Sequence, residues 1–249
     1  LDFGTYYGFL MTFPGYPLEE RIRGYAEQAL QRYPADANST VAFFTRYPPL
    51  SSEAAGRYAV ALSTLQRADA AQKAVAAWRG GSLAPDDEAR LLSMYGSRFS
   101  QADHDARMDE LLWQGQTSQA ERQISFVSTA SRPLFMERLS ILQGSAPGSM
   151  GLTLTPQMNS DPGYIYARAV QARKSGNLPA EIALLAGRPP LAKPVPEPEK
   201  WVRELLTAAR GAGADSAVRI AGSIDDAFAP GTDISKLSFR LRDDYTTLV

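Results

Sequence analysis

Ten residues from 104 to 113, HDARMDELLW, hold the chain's single histidine, three carboxylates and a tryptophan. That composition could serve a metal ion or acid/base catalysis. Helical projection argues otherwise. Three and four residues ahead of His104 are Arg107 and Met108, and three and four behind are Gln101 and Ser100. A zinc-binding helix would place a second histidine or a carboxylate at that spacing. A nucleophilic triad would need an orienting carboxylate for the imidazole, and no second histidine exists to replace this one. The segment reads instead as a capped, packed helix. Ser100 is the N-cap with Asp103 at the third position, and Asp103 and Asp105 sit where the helix dipole favours anions. Met108, Leu111 and Leu112 form its buried stripe, Arg107 pairs with Asp103, and Trp113 packs at the following turn.

Paired carboxylates are the other chemistry to weigh, since glycoside hydrolysis needs only two of them at a suitable separation. Asp86, Asp87 and Glu88 follow Pro85, and Asp225 with Asp226 and Asp243 with Asp244 are adjacent pairs. Adjacent helical residues point in different directions, so capping and solvation account for these groups more simply. No GxxxxGK[ST] loop is present to cradle phosphate. No catalytic, cofactor-binding or metal-binding residue is therefore assigned, and no cofactor is expected; the residues of any ligand-binding face stay open.

Composition narrows the classes further. The formal net charge is −1 with no basic run, so tight electrostatic binding to nucleic acid has no support. The absence of cysteine removes disulfides, thiolate metal sites and cysteine nucleophiles. Arginine outnumbers lysine 21 to 5. A GC-rich genome would give that bias; planar, bidentate contacts to carboxylates on other helices would use it. No apolar run approaches the roughly 18 residues that span a bilayer. The opening LDFGTYYGFLMTF lacks the charged region that precedes a signal peptide's apolar stretch, and the tail from Ser223 ends uncapped on Val249, so a processed or excised piece of a longer protein is expected.

The elements that would position any site are helices, because apolar residues recur at helical spacing almost everywhere. Ala55, Tyr58, Ala59, Leu62 and Leu65 follow Ser51 and Ser52; Leu91, Leu92 and Tyr95 run into Gly96, a left-handed cap; Leu134, Phe135, Leu139 and Leu142 lie between Ser131 and Gly144. Ile165, Ala169 and Ala172 follow Asp161 and Pro162 and stop at Gly176, and Trp201 to Ala209 follow Pro198. Shorter helices start at Asp69, Thr117, Pro179 and Ala214. The stretches 111–121, 172–182 and 208–218 each run helix, glycine turn, helix, with an alanine four or five residues beyond the glycine where two helices approach. Short amphipathic helices cannot each bury a stripe alone, so the expected fold is all-α, a right-handed superhelix of helix hairpins forming one domain over 1–249. The Gly/Ser/Pro-rich segments 143–163 and 187–199 are expected to be loops within it.

Particular residues carry a resemblance. FFTRYPPLSSEAAGRYAVALSTL and AVAAWRGGSLAPDDEARLLSMYGSRFSQADHDARMDELLWQGQTSQAER resemble the N-terminal superhelical region of soluble lytic murein transglycosylases of the alphaproteobacterial type. The Tyr-Pro-Pro-Leu step, the Trp-Arg helix end, the acidic helix start, the Tyr-Gly turn and the Leu-Leu-Trp helix occur in that family's order. FPGYPLEERIRGYAEQAL and WVRELLTAARGAGADSAVRIAG are similar to further helices of the same region. The likeness covers most of the chain and is weakest at 143–163 and 224–249. It implies a periplasmic protein whose helical part holds or positions peptidoglycan strands, while a lysozyme-like C-terminal domain performs the cleavage with one glutamate. No residue here matches that glutamate. MGLTLTPQM, 150–158, bears a slight likeness to a catalytic-domain segment, but its glutamine follows a proline and no Glu-Ser helix precedes it. The chain by itself is expected to be inactive. The alternative is a tetratricopeptide-like adaptor for a protein partner; a weaker one is a self-contained glycosidase.

Overall fold

Prolines and short polar side chains set where the helices begin. A computed structural model describes residues 1–249: fifteen α-helices, three 3-10 turns and no β-strand. Asp2, Asp36, Ser51, Thr155, Asp161, Asn177 and Ser238 each accept a hydrogen bond from a backbone N–H in the first turn of the helix that follows. Prolines occupy the first turns of six helices, where the missing N–H has no intrahelical partner to lose. The all-α expectation is met. Gly96 departs from it in detail, adopting φ −53° and leading into a 3-10 turn, Gly96–Arg98, instead of a left-handed cap.

The chain divides into two compact units. The first comprises Leu1–Gln114 with Ser125–Ser128. It contains α1 (Phe3–Thr12), α2 (Glu19–Arg32), α3 (Ala37–Arg46), α4 (Ser52–Thr64), α5 (Ala70–Arg79), α6 (Pro85–Tyr95) and α7 (Gln101–Gln114). Helix α1 packs on α2, α3 on α4, and α4 on α5 and α6, while α5 also meets α6 and α7. Ala59, Ala74 and Ala77 are fully or almost fully buried, and small residues there let α4 and α5 approach closely. Trp78 and Phe99 stack at 4.5 Å beside them. A second core gathers Phe3, Leu10, Leu30, Phe43, Phe44 and Tyr47. Buried Glu27 of α2 clamps the step into α4, accepting from Leu50 N at 2.6 Å, Ser51 N at 3.1 Å and Ser51 Oγ at 2.9 Å.

The second unit comprises Gly115–Ile124 and Thr129–Val249. It holds α8 (Thr117–Gln123), α9 (Arg132–Leu142), α10 (Pro156–Asn159), α11 (Pro162–Lys174), α12 (Leu178–Ala186), α13 (Pro198–Gly211), α14 (Ala214–Ala221) and α15 (Phe239–Leu248). Helix α11 packs on α9, α12 and α13, and α13 also on α12, α14 and α15. Trp201, Val202, Leu205 and Ala208 form the buried stripe of α13. Residues 143–161 contain only the single turn α10, and α11 already begins at Pro162, within the stretch expected to be a loop. Residues 187–197 carry no helix, and their backbone is tied down: Ala192 N donates to Ser160 O at 2.9 Å and Val195 N to Ala227 O at 2.8 Å. Of the alanines placed after the turn glycines, Ala120 is fully buried, whereas Ala180 is exposed and the contact position next to it is taken by Glu181.

Candidate functional site

The histidine helix forms as its capping residues require. Ser100 Oγ and N both donate to Asp103 Oδ2, at 2.6 and 2.8 Å, and Asp103 N donates back to Ser100 Oγ at 3.2 Å. Asp105 turns to a neighbouring segment, where it accepts from Ser128 N and Oγ at 2.7 and 2.6 Å. His104 is half-buried among aromatic rings. It stacks on Phe126 at 5.2 Å and meets Trp78 and Phe99 edge-on. Burial holds its pKa below the ordinary 6.5, with Arg107 adding to the shift and Asp103 opposing it. An imidazole packed in this way is a structural ring. No group of three or more His, Asp or Glu side chains gathers with the geometry to hold a metal ion.

Arg107 corrects one expectation. It does not pair with Asp103 on its own helix; its Nη2 lies 3.3 Å from Glu88 and its guanidinium sits 3.8 Å over the Trp78 ring. Asp103 is met instead by Arg79, at 3.5 Å. The acidic start of α6 is consumed in the same fashion. Asp87 is buried 2.9 Å from Arg57 Nε, and desolvation raises its pKa despite that cation. Asp226 takes a two-pronged contact from Arg188 at 2.7 and 2.8 Å, with Leu191 N also donating to it at 3.0 Å. Asp225 accepts from Tyr245 Oη at 2.6 Å, and Asp244 lies 3.6 Å from Arg203. The arginine excess thus supplies braces between segments, using a flat donor set that lysine lacks.

One cluster was not marked by any motif. Glu181 of α12 is completely buried, Glu204 of α13 is 5% exposed, and Arg173 of α11 binds Glu204 through Nε at 2.8 Å and Nη2 at 3.1 Å. Burial and the neighbouring Glu204 charge push Glu181 up to about 7, against the pull of Arg173. Burial and Glu204 also raise the Tyr166 phenol. The signal in the sequence was a glutamate inside the apolar run PAEIALLA, which on the hydrophobic side of a helix needs a partner or a proton.

Two grooves could accept ligands. In the first unit a 420 Å³ groove is walled by Pro48, Pro49, Phe44 and Tyr58 and carries Lys73, Asp69 and Thr45. In the second unit a 680 Å³ groove lies along Leu178, Ile182, Ala183 and Ala186, with Arg219 and Ser216 opposite. The former mixes aromatic, hydroxyl and charged groups and suits a polar ligand with flat apolar faces; the latter is lined by aliphatic side chains with one hydroxyl and one guanidinium. Comparison of the chain with protein-family models, with curated proteins and with solved structures gives no match. The architecture defines a class, an all-helical protein built of packed hairpins braced by arginine–carboxylate contacts.

Proposed function

We propose that the chain is the non-catalytic superhelical region of a periplasmic lytic murein transglycosylase, a right-handed array of helix hairpins that holds peptidoglycan strands for a C-terminal lysozyme-like domain. One observation carries this reading. The two long stretches that carry most of the resemblance supply core residues of the first unit: Tyr47, Trp78, Phe99, Leu111, Leu112 and Trp113 are all buried. Burial of these residues in the helical core supports the reading. The groove beside Pro48 and Pro49 is the place where this reading puts the glycan. The Tyr58 ring offers an apolar face to a sugar, the Thr45 hydroxyl, which donates to Val41 O, an acceptor, and Lys73 a cation for a carboxylate of the peptidoglycan.

Cosedimentation with purified peptidoglycan sacculi tests the proposal. Saturable pelleting of the chain is expected, reduced about tenfold in affinity by Tyr58→Ala combined with Lys73→Ala, a loss corresponding to about 1.4 kcal/mol. No pelleting, together with capture of a specific protein partner, would favour the adaptor instead. Release of muropeptides by the chain alone would overturn the assignment of chemistry to another domain.

A further inference from the structure

Glu181 sits where an ionised carboxylate is hardest to keep. It is 0% exposed, and neither carboxyl oxygen has a hydrogen-bond donor within reach. Helix α12 packs against α11, α13 and α14. From α11 the groups nearest this point are Arg173 and Tyr166, and from α13 Glu204, with Glu197 and Arg203 farther round beside Tyr166. The ionisable residues of α14, Asp215 and Arg219, are exposed. Both oxygens of Glu204 are already taken by Arg173. One cation, itself partly open to solvent, thus faces two buried carboxyl groups. Ionising both would leave an uncompensated negative charge in a desolvated site, with Glu181 accepting from nothing. A neutral acid resolves this, because it gains an O–H that can donate.

We propose that Glu181 folds as a neutral carboxylic acid whose O–H donates to the Glu204 carboxylate, so that one proton fastens α12 between α11 and α13 and its loss loosens that helix. The chain of contacts runs from the Arg173 guanidinium to the Glu204 carboxylate and on to the Glu181 acid, and every strong acceptor in it is then used. Burial, then the Glu204 charge, sets the affinity for the proton, and Arg173 opposes both. The same helix presents Ile182, Ala183 and Ala186 to the 680 Å³ groove, so the element that the proton holds is one wall of that groove.

Carboxyl carbon NMR of the whole chain, with glutamate side chains labelled and assigned, is the direct test. Glu181 is expected to titrate near neutrality. In Glu204→Gln its midpoint should fall by about one unit as the neighbouring charge disappears. The protection of α12 amides, corrected for intrinsic exchange, should drop about tenfold more between pH 5 and pH 8 in the wild type than in Glu181→Gln. A Glu181 midpoint in the ordinary carboxylate range overturns the proposal, as does a midpoint that Glu204→Gln leaves unmoved. The wild-type titration decides the protonation state even if a variant fails to fold.

Discussion

Ser100 and Asp103 illustrate how far a local pattern reaches. The pair is three residues apart, so its reciprocal capping contacts depend on nothing beyond the helix they start, and they form as the spacing requires. Ser100→Ala is expected to cost about 1 kcal/mol in urea unfolding, the ordinary value for a lost N-cap. Arg107 marks the limit. Its intrahelical option, Asp103, lies four residues back, but Glu88 and the Trp78 ring come from other helices and supply a stronger setting: a desolvated cation over an indole with a carboxylate at its edge. Nothing in the neighbourhood of residue 107 announces either partner. Glu27 was equally silent, being one glutamate among several on a polar helix, until α4 came within its reach. Because it satisfies two backbone N–H groups and a hydroxyl at the Leu50–Ser51 step, Glu27→Ala should destabilise the first unit by about 2 kcal/mol, more than the loss of an exposed carboxylate. A change below about 0.5 kcal/mol would mean that water replaces the clamp at little cost.

Helices were legible because their signals are local and repeated: a period of apolar residues, a polar cap, a proline in the first turn, a glycine after the last. The close approaches between helices were less so, since they depend on which faces meet. Gly163 is a case in point. It lies in the first turn of α11, where no left-handed backbone asks for glycine, yet a Cβ there would fall 2.2 to 2.8 Å from the Arg138 guanidinium. That proximity lets Arg138 of α9 lie against α11, with its Nη1 3.7 Å from Asp161. Gly163→Ala should displace the guanidinium and cost about 2 kcal/mol, within the range for overpacking a buried site. Arg138→Met at the same time should recover part of the loss; failure to recover any would assign the cost to the helix start itself. Gly81 has both reasons to be glycine, φ +94° and a Cβ position 2.7 Å from Gln114 Oε1. That spacing matters because Gln114 accepts from Ser82 N and donates to Gly80 O, joining the end of α7 to the α5–α6 turn.

At the scale of the whole molecule, the titrations of a half-buried histidine and a fully buried glutamate oppose one another across overlapping pH ranges. His104 is held neutral by burial among aromatic rings, so its folded pKa lies below 6.5. The folded state then binds fewer protons than the unfolded chain, and the stability this group contributes is present above pH 6.5 and lost as pH falls through the folded value. Glu181 has the reverse sign. Its pKa rises from 4.5 to about 7 on folding, so its contribution is complete below pH 4.5 and is lost as pH rises through 7. The acid side is therefore weakened by a ring in the first unit and the alkaline side by a carboxyl group in the second. Removing each titration separately isolates them. His104→Phe keeps an aromatic ring in the box and should flatten the fall in melting temperature below pH 6.5, while leaving the drift between pH 6.5 and pH 8 unchanged. Glu181→Gln keeps the shape of the neutral acid and should remove the loss of stability that the wild type suffers as pH rises from 4.5 to 7, gaining about 5 °C on the wild type at pH 8 relative to pH 5. Offsets between wild type and variant that stay constant across pH 5 to pH 8 would show that neither group is the source of the dependence. The two variants combined should add, because the groups lie in different units and share no partner.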